Sequence, residues 1–168
     1  AKAVMRDRTA RMRKVGGAGS QKWLRVRDTG SLNKACARFE ANLDACESIT
    51  QLLGFEGNFS KACYAEFSSF SGLSKKHVFR RQAGAGGTNS SDTDPIGLVN
   101  RLIDHGNYLC YGMAGAALWA LGIPPHMSVF HGKTRAGGLV FDLADSLKDA
   151  IVLPIAFSLA REKNAKEA

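Results

Sequence analysis

Residues 130–154 read FHGKTRAGGLVFDLADSLKDAIVLP, and this stretch decides the fold class. His131 stands at the head of a Gly-rich turn. The residues after it are apolar at helical spacing: Leu139, Val140, Leu143, Leu147, Ile151. Asp142 and Asp145 are three positions apart, so on a helix they share one face. Apolar residues surround them on nearly every side. A carboxylate in such company is costly to bury unless it is paired, hydrogen-bonded or bound to a cation.

Working outward, the same helical period recurs and no alternating strand pattern does. Ser31 is a plausible cap for a helix over 32–53, with Leu32, Cys36, Phe39, Leu43, Cys46, Ile49 and Leu53 in register. Gly54 is expected to end or kink it. A second helix is expected from about Glu56 to Phe70. QAGAGGTNSSDTDP, residues 82–95, reads as a loop by composition. Pro95 suits the first turn of a third helix ending near Gly106. A fourth is expected over 107–121, with Asn107 as its cap. The last runs roughly from Gly138 to Glu167, with a kink at Pro154. The sum is an all-α domain of about five main helices.

The chain has 168 residues and a formal net charge of +8. Residues 1–27 hold nine Lys or Arg against one Asp, so the whole excess lies there. Residues 1–30 are therefore expected to be a basic and flexible N-terminal segment, with the helical domain over 31–168. A solvated arm and a phosphate-contacting arm both fit that charge. The four cysteines, Cys36, Cys46, Cys63 and Cys110, form no Cys-x-x-Cys pair, which disfavours a zinc site or a disulfide framework. Reduced thiols in a cytoplasmic protein are the expectation. No apolar run reaches the roughly 18 residues of a membrane span. The chain opens at Ala1, and no secretory signal is legible.

Three residues carry the candidate chemistry. Alone, His131 reads first as a structural hydrogen-bonding group. Glu56, in LLGFEGNF, reads alone as a first-turn helix glutamate favoured by the helix dipole. Asp142 and Asp145, extended by Asp149, read as one stripe of a solvated face. Together, Glu, His and Asp suit a divalent cation: oxygen donors favour Mg2+ or Mn2+, and one imidazole shifts the preference toward Mn2+. GKTR echoes part of a P-loop, but the full Gly-x-x-x-x-Gly-Lys-Ser/Thr is absent and the nucleotide reading is set aside.

The runs EGNFSKACYA, GNYLCYG and LGIPPHMSVFHGKTRAGGLVFDLADSLKDAIVLP, in that order, resemble the C-terminal helical domain of the CRISPR-associated integrase-endonuclease of spacer acquisition. The form of the last run looks most like subtype F of type I. The resemblance covers roughly residues 45–157. It implies a metal-dependent DNA endonuclease and integrase, with Mg2+ or Mn2+ held by Glu56, His131 and Asp145. It also implies that Asp142 supports the site and that Lys148 is a basic group beside the metal. Lys133, Arg135, Arg80 and Arg81 become candidates for DNA contact. The implied partners are branched or double-stranded DNA, a second copy in a homodimer, and a small adaptation subunit that is fused to the helicase-nuclease in subtype F. No membrane is implied. The β domain that opens family members has no counterpart in these residues. Two other classes compete: a catalytically silent helical DNA-binding or scaffolding module, and a hydrolase of small phosphate esters.

Overall fold

The structure, a computed structural model, describes residues 1–15, 30–73, 79–82, 94–131 and 136–167, the last four of these by backbone only. Among the described residues there are six helices and no strand. They are α1 (Lys2–Val15), α2 (Gly30–Ala45), α3 (Ile49–Ser71), α4 (Pro95–Ala120), α5 (Gly138–Asp145) and α6 (Lys148–Glu167). No described helix is long and apolar enough to cross a membrane.

The core forms where the apolar stripes meet. α2 lies along α3, α4 along α6, and α3 packs on α6. Phe39 of α2 stacks on Phe59 of α3, with ring centroids 4.6 Å apart. Phe67 and Phe79 both meet Phe157 of α6, at 6.0 and 5.1 Å. All four cysteines are buried and unpaired by disulfides. Burial pushes the Cys36 thiol up to about 11, so it behaves as a small apolar filler.

Several helix boundaries differ from those expected. The first break falls at 46–48, not at Gly54. There Ser48 takes a β conformation and its hydroxyl accepts from the Gln51 amide, which starts α3 at Ile49. Gly54 and Gly57 then lie inside α3. The intrinsic cost of glycine, about 1 kcal/mol each, is outweighed by burial of Leu52 and Phe59 on either side. Glu56 is consequently a mid-helix residue and takes nothing from a helix N-terminus.

α4 is one continuous helix of 26 residues, not two. Asp94, not Asn107, caps it, accepting from the Ile96 and Gly97 amides at 3.1 and 3.0 Å. Gly106 persists in mid-helix because α6 crosses there: a Cβ on it would stand 2.7 Å from Val152 Cγ1. The expected final helix is split instead at Ser146 and Leu147, between α5 and α6. That break leaves Asp145 at the end of one helix and Lys148 at the start of the next.

The N-terminal basic segment also needs correction. Residues 2–15 form α1, which packs against α2, α5 and α6. Met5 and Met12, seven positions apart, are fully buried, with Arg8 and Thr9 on the same face. The +8 of residues 1–27 concealed this stripe. Other charged residues of α1 are paired: Arg11 with Asp7 one turn away, and Arg6 and Arg13 with Asp44 and Glu40 of α2. Residues 16–29 lie outside the described residues, as do 83–93 of the expected loop.

Candidate active site

α5 is short and supplies the central carboxylates. It starts at Gly138, after Gly137 in the left-handed region at φ 74°, which lets the chain turn tightly from residue 136 into the helix. Asp142 and Asp145 point inward and are 1% and 3% exposed.

Asp142 organises the segment before it. Its Oδ2 accepts from Ser128 Oγ at 3.0 Å, Val129 N at 2.6 Å and Phe130 N at 2.9 Å. Its Oδ1 accepts from His131 N at 3.1 Å and pairs with His131 Nδ1 at 2.7 Å. Burial alone would raise this acid, but the bonds from Phe130, His131, Val129 and Ser128 outweigh it and hold the carboxyl below its usual range. An ionised carboxylate only accepts, so Nδ1 carries the proton. In the neutral ring Nε2 then has the lone pair, and it stands 3.6 Å from Asp145 Oδ2. Phe130 and Phe141 flank the imidazole, at 4.9 and 6.1 Å between centroids.

Asp145 Oδ1 is buried against the Lys148 ammonium as an ion pair. Lys148 Nζ also donates to Tyr111 Oη at 3.4 Å and lies 5.5 Å from that ring's centre. Burial pulls the ammonium down, but Asp145, Asp149 and Tyr111 prevail and keep it protonated.

Glu56 approaches from α3 and is held by Arg8 of α1. Arg8 Nη1 donates to Glu56 Oε1 at 2.6 Å, and Ser60 Oγ donates to the same oxygen at 2.9 Å. Arg8 Nη2 donates to Ser60 Oγ at 2.7 Å and to Asp149. Arg8 is only 2% exposed. Burial opposes its charge, but Asp149, Glu56 and Asp145 together raise its pKa above the ordinary arginine value.

Among the expected ligands, His131 and Asp145 therefore come together directly. Glu56 is held by Arg8 and Ser60 instead, and no three His, Cys, Asp or Glu side chains among the described residues stand close enough to grip one ion as they are. Two observations bear on whether these residues suit a cation. Asp145 is a buried carboxylate whose Oδ1 meets the Lys148 ammonium and whose Oδ2 stands 3.6 Å from His131 Nε2. The cluster also counts four carboxylates, Glu56, Asp142, Asp145 and Asp149, against two cations, Arg8 and Lys148, a net of −2. With His131 neutral, a deficit of that size fits one divalent ion, and the two carboxylates plus imidazole are a donor set that Mg2+ or Mn2+ accepts.

The sequence reading gave no role to Arg8, Ser60 or Tyr111. Arg8 had one legible signal, its place between Met5 and Met12 on a single helical face. Of the candidate DNA contacts, Arg80 is exposed. Arg81 pairs with Asp104 and donates to Asn100 Oδ1 at 3.1 Å, which pins residues 80–82 to α4. Lys133 and Arg135 lie outside the described residues.

The protein-family model for CRISPR associated protein Cas1 matches residues 1–168. The chain is 42% identical over 125 residues to the CRISPR-associated endonuclease Cas1 of Pectobacterium atrosepticum, covering 74% of the chain and 35% of that protein. It is 41% identical over 138 residues to the protein of the same name from Pseudomonas aeruginosa, covering 79% and 39%. The Escherichia coli protein of that name is 31% identical over 125 residues, covering 74% and 38%. The chain thus spans 35–39% of the length of these curated relatives.

Proposed function

This chain belongs to the CRISPR-associated protein Cas1 family, and from that premise we propose that it carries the catalytic centre of a metal-dependent DNA endonuclease and integrase acting in spacer acquisition. The observation that supports it most is the pair of buried carboxylates Asp142 and Asp145, with the His131 ring turned by Asp142 onto Asp145. In this reading Glu56, His131 and Asp145 hold one Mg2+ or Mn2+. When bound, such an ion supplies Lewis-acid polarisation of a phosphodiester. The side chains do the rest. Asp142 fixes the tautomer and orientation of His131, so that its Nε2 lone pair would be available to such an ion. Lys148, kept protonated by Asp145 and Asp149, offsets charge that builds on phosphate oxygens. Tyr111 limits the ammonium's freedom by contact with its hydroxyl and ring.

The nucleophile decides the product. Water gives cleavage, and a 3′-hydroxyl gives strand transfer. The substrate is double-stranded or branched DNA, with Arg80, Lys133 and Arg135 as backbone contacts and Arg81 placing the segment that bears Arg80. The assembly we infer pairs two copies with a small adaptation subunit, as the resemblance to subtype F implies.

The test is cleavage of labelled branched DNA by this chain with Mn2+, with and without EDTA, alongside Asp145→Asn and His131→Ala. Metal-dependent cleavage lost in both variants supports the proposal. DNA binding with no cleavage at any metal concentration would favour the silent scaffold instead. Cleavage that survives in Asp145→Asn would remove the site.

A further inference from the structure

We propose that Arg8 is a positioning residue of this metal site, acting through Glu56. The inference rests on the reading of Glu56 as a metal ligand and adds a residue that the cluster's donor set does not include. Three facts carry it. Arg8 comes from a different helix, α1, and is buried at 2% exposure in the midst of the carboxylates. Its two terminal nitrogens span Glu56, Ser60 and Asp149, so the guanidinium links α1, α3 and α6 across the site. Both hydrogen bonds to Glu56 land on one oxygen, Oε1, from Arg8 at 2.6 Å and Ser60 at 2.9 Å.

That last asymmetry sets the sign of the effect. A guanidinium near a divalent ion repels it, so on charge alone Arg8 would weaken binding. A carboxylate anchored by one oxygen, however, presents the other in a fixed direction and loses little freedom when it binds. A long Glu side chain left loose would lose more, since its rotamer entropy is among the largest. Asp149 offsets the repulsion, because it pairs with the other terminal nitrogen of Arg8. The guanidinium fork is needed for this. Lysine supplies the charge but not three bonds in fixed directions.

The experiment is Mn2+ titration of the full chain, read by loss of the free-ion EPR signal, with thermal melts as a control on folding. The variants are Arg8→Lys, Ser60→Ala, the charge-conserving pair Arg8→Met with Asp149→Asn, and Glu56→Gln alone and combined with Arg8→Lys. Arg8→Lys is expected to weaken Mn2+ binding about tenfold or more, and the charge-conserving pair likewise, although its net charge is unchanged. Ser60→Ala should cost less, in the same direction. In the Glu56→Gln background Arg8→Lys should cost nothing further, because its effect runs through Glu56. A merely structural role would cost the same in either background.

Mn2+ binding as tight as wild type, or tighter, in Arg8→Lys and in the charge-conserving pair would overturn the proposal. If neither arginine variant melts cooperatively, Ser60→Ala decides: unchanged Mn2+ affinity overturns it. A wild-type chain that binds no Mn2+, or whose binding survives Asp145→Asn, would overturn the metal reading and this inference with it. Binding that needs Asp145 and Glu56 but ignores Arg8 and Ser60 would overturn this inference alone.

Discussion

Replacing Asp142 by Asn removes one charge and changes no volume, yet the structure gives it a large effect. Asp142 is 1% exposed and takes five hydrogen-bond contacts, from Ser128 Oγ, the amides of Val129, Phe130 and His131, and His131 Nδ1. Asn keeps one acceptor oxygen and puts an NH2 in place of the other. If the oxygen stays toward Ser128, Val129 and Phe130, the NH2 faces the His131 amide, donor against donor. A buried unsatisfied donor costs roughly 1–3 kcal/mol, and each of the three remaining bonds falls from a charged to a neutral acceptor, about 1 kcal/mol apiece. The sum is about 4–6 kcal/mol, a large share of the roughly 5–15 kcal/mol that holds a domain together. The new NH2 also donates to Nδ1, which forces the neutral ring's proton onto Nε2 and turns an N–H toward Asp145. Urea denaturation measures the first effect and 15N NMR of the histidine ring the second. A loss under about 1 kcal/mol, with Nδ1 still protonated, would refute the reasoning.

Three further outcomes follow from other parts of the molecule. The depressed Asp142 acid stabilises the fold above its unfolded value of about 3.9, and that contribution is lost as pH falls through its lower folded value; wild type should therefore lose urea stability below about pH 4 more steeply than Asp142→Asn, and parallel slopes would count against it. Gly106→Ala should destabilise by about 1–3 kcal/mol, because the new methyl meets Val152 at 2.7 Å; in a Val152→Ala background the same change should stabilise, since alanine favours the helix by about 1 kcal/mol, and thermal melts of the four combinations decide it. Met12→Ala should cost about 2–5 kcal/mol in denaturant melts, since Met12 is fully buried; a solvated N-terminal arm would tolerate it freely.

The fold class was legible because apolar spacing is a local signal, and α2, α3 and α4 each show it. Helix borders were less so, since they depend on contacts between distant residues. Gly106 looks like a stop until Val152 is seen against it, and Gly54 looks like a stop until Ser48 is seen capping three residues after α2 ends. The pairing of His131 with Asp142 and Asp145 was readable because all three lie within one short stretch. The Arg8 bridge was not: its partners Glu56 and Asp149 lie 48 and 141 residues away, and the surrounding positive charge pointed to solvent. The hold on Arg81 was hidden for the related reason that Asp104 and Asn100, which keep it on α4, lie 23 and 19 residues away.

We propose one divalent ion held by His131 and Asp145, with Glu56 completing its ligands. Electron spin-echo modulation of the Mn2+-loaded chain reads this most directly, because it detects nitrogen bound to the ion. The expected result is one Mn2+ per chain with modulation from a single imidazole, absent in His131→Ala, and loss of the bound ion in Asp145→Asn. An ion bound without nitrogen modulation, or with modulation that persists in His131→Ala, would contradict it.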